Sequence, residues 1–403
     1  MITAKSERIH IAFIGRTNVG KSSIINLISN QNTSIVSDVK GTTTDAVEKV
    51  MELAPLGPIV LIDTAGIDDN TALGNERKKI TNATYRKCDF VFVVVEPNIW
   101  NEYEDNVINN LKYFDIPFSF IINKIDICEP TNIFYNKLIS YETDIISITA
   151  TNTERNVFIK QLTDIVHNKL IISNKLDNNE INMFDGLLAE GDVCLFVTPI
   201  DSGAPKGRMI LPQVQALRSV LDKNGICLFV QLSEYQKALS NLAMPPKLVV
   251  TDSQVIKEVI ELSPAEQNIT TFSILLARLK GDFKTEIKGA YKLNTITHKD
   301  IILVAEACSH HAQKDDIARV KFPILLKKYL NFEPQIDYCN GRDFPDDISK
   351  YSLIIHCGAC MLTQKEKLNR IKIAINENIP ITNFGMAISF LQGYIERAVS
   401  PFD

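Results

Sequence analysis

What this 403-residue chain lacks narrows its class before any motif is read. No apolar run approaches the roughly 20 residues that a membrane-spanning helix needs. The greasiest stretches, Phe90–Val95 and Ile301–Ala305, have the length of buried strands, so no membrane contact is expected. The first residues, Met1-Ile2-Thr3-Ala4-Lys5-Ser6-Glu7, hold no apolar secretory core, and a cytoplasmic location is expected. Positive charge is not in excess: 43 Lys and Arg face 48 Asp and Glu, a net of −5, which removes any general pull towards nucleic acid. Repeats and low-complexity tracts are missing as well. The eight cysteines make no disulfide framework in a chain of this size and setting. Cys88, Cys128, Cys194, Cys227 and Cys339 are scattered, mostly in or beside strand-like runs, and read as small core hydrophobes. Cys308, Cys357 and Cys360 differ, because each comes with a nearby histidine.

Strands and helices alternate throughout, which predicts α/β architecture with mainly parallel sheets. Three blocks are expected: residues 1–172, 181–262 and 263–403. The polar stretch Ser173–Glu180 joins the first two, and Ser263-Pro264 marks the start of the third. In the middle block Val193–Val197, Ile226–Gln231 and Leu248–Thr251 read as buried strands, and Leu211–Leu221 and Tyr235–Leu242 as helices. Three strands make a small sheet for an independent unit, so a homodimer through this block is expected.

The first block carries chemistry in a fixed order. Gly15-Arg16-Thr17-Asn18-Val19-Gly20-Lys21-Ser22 follows the apolar strand Ile9–Ile14 and precedes the helical run Ser23–Ile28. That is the setting of a phosphate-binding loop, whose glycines let successive N–H groups face the phosphates at a helix N-terminus. Lys21 should reach the outer phosphates, and the Ser22 hydroxyl should ligate Mg²⁺. Strand Ile59–Ile62 ends at Asp63-Thr64-Ala65-Gly66, where Asp63 can hold Mg²⁺ through water and the Gly66 N–H can face the γ-phosphate. Strand Phe118–Ile122 ends at Asn123-Lys124-Ile125-Asp126, which resembles the base-recognition motif of the small-GTPase-like superfamily. There a carboxylate accepts two N–H bonds from guanine, an edge adenine lacks, so Asp126 selects GTP and GDP. Ile145–Ile148 leads to Thr149-Ala150, with the Ala150 N–H expected to face the base. The residues expected on the nucleotide are thus Asn18, Gly20, Lys21, Ser22, Ser23, Thr43, Asp63, Asn123, Lys124, Asp126, Thr149 and Ala150, with Lys21, Thr43 and Gly66 closest to the reaction.

Gly41-Thr42-Thr43-Thr44-Asp45 resembles the first switch of the Era and tRNA-modification GTPases, in which the second threonine after the glycine closes on Mg²⁺. The likeness therefore favours Thr43, with Thr42 and Thr44 as neighbours. Where a Ras-like enzyme has glutamine after this Asp-Thr-Ala-Gly, the chain has Ile67, which cannot orient water, so unaided hydrolysis should be slow. In the tRNA-modification GTPases the position of Asn18 is also asparagine and helps ligate K⁺. That implies K⁺-stimulated hydrolysis, set against a plain turn role for the residue.

Cys308-Ser309-His310 and His356-Cys357-Gly358-Ala359-Cys360 place three thiolates where one metal or one cluster face can take them. From spacing alone, structural zinc and an iron–sulfur cubane both fit. The setting favours the cubane, since both groups follow buried strands in a block that should fold unaided, at the strand ends where open sheets place ligands. His310 and His356 stand as fourth ligand or as supports behind the ligands.

With these signatures in order, the chain resembles the HydF family, the GTPase scaffold of [FeFe]-hydrogenase maturation. Cys-x-His, a spacer, then His-Cys-x-x-Cys is that family's cluster signature, and 45 residues separate His310 from His356, at the short end of its spacing. Pro199–Gln213, Gly341–Pro345 and Pro380–Gly385 resemble its other signatures. Lys206 and Arg208 in the first of these suit either an anion site or a solvated crossover. The resemblance implies a TrmE-Era-like P-loop GTPase, a small α/β dimerisation domain and an α/β cluster-binding domain. It also implies a [4Fe–4S] cluster on Cys308, Cys357 and Cys360, a transient two-iron precursor, and radical-SAM enzymes and apo-[FeFe]-hydrogenase as partners, with GTP hydrolysis regulating their association. The alternatives are a zinc-stabilised regulatory GTPase and an RNA-directed GTPase of the Era type. The latter is weakened because no Gly-x-x-Gly loop with flanking lysines occurs in the C-terminal half.

Overall fold

The computed structural model describes residues 5–29, 47–64, 82–172, 182–200, 209–307, 317–341, 344–345, 347–359 and 361–402. The chain divides into two compact units, 1–180 and 181–403.

In the first unit the strands are β1 (Ile9–Ile14), β2 (Val47–Leu53), β3 (Gly57–Asp63), β4 (Phe90–Val95), β5 (Phe118–Ile122) and β6 (Ile145–Ser147). They form one sheet in the order β2-β3-β1-β4-β5-β6, in which only the β2–β3 pair is antiparallel. β1 and β4 are apolar at nearly every position because helices cover both faces. Ile11 and Phe13 of β1 pack towards helices Lys21–Ser29 and Arg155–Ile172, while Ala12 and Ile14 pack towards Glu102–Tyr113 and Asn132–Ile139. β2 is the exception. It alternates exposed and half-buried residues, a pattern too polar to separate from loop by sequence.

In the second unit β7 (Val193–Val197), β8 (Ile226–Val230), β9 (Leu248–Thr251) and β10 (Ile269–Thr271) form an all-parallel sheet ordered β10-β9-β7-β8. The sequence reading expected three strands here. The fourth, β10, is only three residues long and pairs Ile269–Thr271 with Val249–Thr251, which gives the sheet a wider base than expected. A second parallel sheet contains β11 (Ile301–Glu306), β12 (Gln335–Asn340), β13 (Leu353–His356) and β14 (Ile381–Asn383), ordered β12-β11-β13-β14.

Helix Phe272–Lys280 serves both sheets. Phe272, Leu275 and Leu276 join the core over β7 and β9, while Ile274 and Ala277 join the core over β11 and β13. A helix apolar on nearly all sides is what a shared element requires. Helix Phe283–Tyr291 lies flush on β14: a Cβ added at Gly289 would sit 2.0 Å from the Ile381 carbonyl oxygen. Of the scattered cysteines, Cys88, Cys194 and Cys339 are buried and Cys227 is half-buried. Cys128 departs from the expectation of a core hydrophobe. It is exposed in the loop after Asp126, with the Asn98 amide 3.4 Å from its sulfur. No helix among the described residues is long and apolar enough to cross a membrane.

Candidate functional site

The nucleotide motifs meet at the carboxyl ends of β1, β3, β5 and β6, the edge where open α/β sheets take ligands. Asn18 and Gly20 both lie in the left-handed region, at φ 62° and 99°. Asparagine tolerates that region, and glycine enters it freely. At Gly20 the restriction is also steric, because a Cβ would fall 2.2 Å from Asn123 Nδ2. Lys21 is buried and donates from Nζ to the Gly15 carbonyl at 2.9 Å and the Arg16 carbonyl at 2.6 Å, so its ammonium sits across the mouth of the loop. The Ser22 hydroxyl donates to Asp63 Oδ2 at 2.6 Å. A hydroxyl and a carboxylate brought together in this way are hard oxygen donors of the kind Mg²⁺ takes, so the described residues fit the ion. Mg²⁺ there would neutralise charge on the phosphates.

Asn123 ties the loops to one another. Its Nδ2 donates to the Val19 carbonyl at 2.8 Å, and its Oδ1 accepts the Ala150 N–H at 3.1 Å. The Ala150 N–H, expected to face the base, is thus held by Asn123 in this structure. Asp126 is exposed at the rim and accepts from the Thr149 hydroxyl at 3.1 Å. Lys124 pairs with Glu96 at 2.7 Å. Thr43 and Gly66 lie outside the described residues, as do Thr42, Thr44 and Ile67.

Three residues to which the sequence alone assigns no role here, Arg16, Asn101 and Glu104, brace this site. Arg16 donates from Nε to Glu104 Oε1 at 2.7 Å, and from Nη2 to Glu104 Oε2 at 2.8 Å and Asn101 Oδ1 at 2.5 Å. Its guanidinium lies 5.2 Å from the Tyr103 ring centroid. Asn101 and Glu104 also form the capping box of helix Glu102–Tyr113, so one carboxylate serves both the helix start and the phosphate loop. The signal was present, as Asn-x-x-Glu, but reads as a cap alone.

The second constellation lies at the carboxyl ends of neighbouring strands. β11 and β13 pair side by side with Ala305 opposite His356, so the segments carrying Cys308 and Cys357 leave the same edge of the sheet together. Ala307, the last described residue before Cys308, donates its N–H to Cys357 Sγ at 3.0 Å. A sulfur at a strand end that accepts a backbone N–H suits a metal ligand, but Cys357 is the one thiol of the three among the described residues, and no group of three His, Cys, Asp or Glu side chains comes together there. Cys308, His310, His311 and Cys360 lie outside the described residues, as do Lys206 and Arg208. His356 is buried, with Nδ1 2.9 Å from the Cys357 carbonyl and Nε2 3.1 Å from Arg370 Nη1. Burial, then the Arg370 charge, hold its imidazole well below the ordinary histidine range.

A family model described as "50S ribosome-binding GTPase" matches residues 10–124. One described as the "Hydrogen maturase F dimerization domain" matches residues 183–281, and one described as the "Hydrogen maturase F tetramerization domain" matches residues 284–401. The last two together span more than half of the chain. The chain belongs to the hydrogen maturase F (HydF) family of hydrogenase-maturation GTPases. Its first unit is an Era-like GTPase domain, and its second carries the family's two self-association domains.

Among curated relatives of this hydrogen maturase F chain, "GTPase Era" of Buchnera aphidicola is 36% identical over 28% of the chain and 40% of its own length. "GTPase Der" of Clostridium acetobutylicum is 34% identical over 31% of the chain and 30% of its own. "tRNA modification GTPase MnmE" of Synechocystis is 32% identical over 39% of the chain and 33% of its own. The chain thus spans less than half the length of each of these relatives. A solved structure of an Aquifex aeolicus Era variant bound to GDP and aluminium fluoride aligns with 63% of this chain and 97% of its own, at 18% identity and a TM-score of 0.34.

Proposed function

We propose that this chain is a cytoplasmic GTPase scaffold that carries a [4Fe–4S] cluster on Cys308, Cys357 and Cys360. In this reading it receives a two-iron precursor made with radical-SAM enzymes and hands the matured unit to apo-[FeFe]-hydrogenase. The division of labour follows residues 1–172 for GTP, 181–262 for homodimer formation and 263–403 for the cluster. Ser22 and Thr43 hold Mg²⁺, Asn18 holds K⁺, and hydrolysis regulates partner association. The single observation that most supports this reading is the Ala307 N–H donated to Cys357 Sγ, across two strand ends whose following segments carry the thiols.

The test is anaerobic reconstitution with iron and sulfide, followed by activation of apo-hydrogenase. The protein should turn brown and activate, and Cys308→Ser, Cys357→Ser and Cys360→Ser variants should do neither. A colourless protein holding stoichiometric zinc would overturn the reading. GTP hydrolysis should run faster in K⁺ than in Na⁺; equal rates in the two salts, or an Asn18→Ala variant that keeps its full rate, would remove the K⁺ role.

A further inference from the structure

The loop after β5 carries Asp126, the carboxylate expected to read guanine, yet little packing holds it there. Asp126, Ile127, Cys128 and Glu129 are all exposed and belong to no helix or strand. A carboxylate that must take two N–H bonds from one base edge gains affinity by being held in place beforehand. Hydrogen bonds from a neighbouring loop do the holding. β4 ends at Val95, and Glu96-Pro97-Asn98-Ile99 turns back, with the Ile99 N–H donated to the Glu96 carbonyl at 3.3 Å. Proline in the second place and a left-handed asparagine in the third, at φ 63°, are what a type II turn asks for.

The turn directs two side chains at the base loop. Asn98 Oδ1 accepts the Thr131 N–H at 2.8 Å and the Thr131 hydroxyl at 2.7 Å. Its Nδ2 donates to the Glu129 carbonyl at 3.0 Å and faces Cys128 Sγ at 3.4 Å. A backbone N–H can only donate and a carbonyl can only accept, so these partners fix which way round the amide lies. Glu96 pairs with Lys124 Nζ at 2.7 Å, and Lys124 keeps a left-handed backbone, φ 66°, which a lysine seldom adopts unaided. Just before it, the Asn123 N–H is donated to the Val95 carbonyl at 2.9 Å. Asp126 thus lies between two tethered stretches, both tied to one turn.

We infer that Asn98 is a positioning residue for guanine recognition: with Glu96 it holds the loop from Lys124 to Thr131 in one shape, so that Asp126 meets the base edge already ordered. This rests on Asp126 as the guanine-reading carboxylate and owes nothing to the cysteine segments. Hydrogen bonds open to water add little to stability, so the effect should fall on nucleotide binding rather than on melting.

The experiment measures GDP affinity of the full chain with a fluorescent analogue, in a cycle built from Asn98→Gly and Asp126→Ala. Glycine keeps the left-handed backbone and removes only the amide. Asn98→Gly should weaken GDP about tenfold, the combined effect of several modest hydrogen bonds. KM for GTP should rise in step, while kcat at saturation changes less than about twofold. On the Asp126→Ala background the same change should cost less than about twofold, because a residue that acts through Asp126 has nothing left to place. Asn98→Asp keeps the acceptor for Thr131 but sets a carboxylate oxygen against the Glu129 carbonyl, and should lose as much as glycine does. Wild-type affinity in Asn98→Gly would show that the position needs only its backbone. Equal losses on both backgrounds would show damage that does not pass through Asp126. Either result overturns the inference. Unchanged GDP affinity in Asp126→Ala alone is a different failure: it removes the base-reading role of Asp126, and the inference with it. If Asn98→Gly does not fold, Asn98→Asp decides.

Discussion

The nucleotide loops and the cysteine-bearing strand ends both sit at the carboxyl edges of parallel sheets, yet they are braced by different kinds of charge. In the GTPase unit each bracing pair reaches water through at least one member: Arg16 has a side chain 24% exposed against 4% for Glu104, and Lys124 and Glu96 are 31% and 27% exposed. In the second unit the charges near the ends of β13 and β14 are sealed, with the side chains of Arg370, Lys367 and Glu286 each 1% exposed. Charges that water can reach lose little when a partner goes, because solvent takes its place. Sealed charges have no such substitute. A loop that must open around a nucleotide suits the first arrangement, and a fixed set of sulfurs suits the second.

Lys367 is where the sealed charges of the second unit should have their largest effect. Its Nζ lies 2.7 Å from Glu286 Oε1, and Glu286 Oε2 accepts from Asn383 Nδ2 at 2.6 Å. Lys367→Met would leave Glu286 charged and sealed, a loss of about 3–5 kcal/mol. In a unit of this size that lowers the melting temperature by roughly 10 °C, read by calorimetry on the second transition. Adding Glu286→Gln to that variant should recover much of the loss. An unchanged melting temperature in the single variant would show that the burial does not carry the consequence argued for it.

Glu104→Gln tests the other side. It removes one charge-assisted contact from Arg16 but leaves an amide able to accept from it. GDP affinity, followed by a fluorescent analogue, should weaken about tenfold, in line with the ~1.5–3 kcal/mol typical of hydrogen bonds to charged groups. The melting temperature should shift less than in Lys367→Met. A larger thermal loss here than at Lys367 would reverse the contrast between the two regions.

These residues also mark how far the sequence could be read. Lys21, Ser22, Asp63, Asn123 and Asp126 could be singled out because the motifs that hold them start at or just after the ends of apolar strands, and a strand end fixes where the following loop begins. The two cysteine segments were legible as neighbours for the same reason, and β11 and β13 do pair. Glu104 was not legible, since it satisfies a helix cap and nothing local signals its second partner 88 positions away. Arg370 sits in a helix dense with polar residues, Gln364-Lys365-Glu366-Lys367, where a buried arginine looks like any solvated one. Its contacts reach His356 and the Gly341 carbonyl from other elements as well as Glu366 on its own helix, and no periodicity records that. β10 failed for a plainer reason: three residues give no pattern to read.

The smallest expected effect returns to the GTPase unit, at a buried histidine. His10 lies in β1, 3% exposed, with Nδ1 2.8 Å from the Arg8 carbonyl and 3.9 Å from Asp89 Oδ2. Desolvation lowers its pKa below the ordinary value of 6.5, more strongly than Asp89 and Glu48 raise it, and Lys87 adds to the lowering. The folded chain therefore keeps the ring neutral at a pH where the unfolded chain already binds a proton. Stability is retained above pH 6.5 and falls as the pH drops from 6.5 towards the folded value, by at most about 1.4 kcal/mol per pH unit. In His10→Gln this contribution to the slope should vanish, so the melting temperature of the first transition should fall less between pH 7 and pH 5.5 than in wild type. Equal slopes would mean that the ring takes up its proton inside the fold with Asp89 as counter-ion. Burial of His10 would then be no barrier to its protonation.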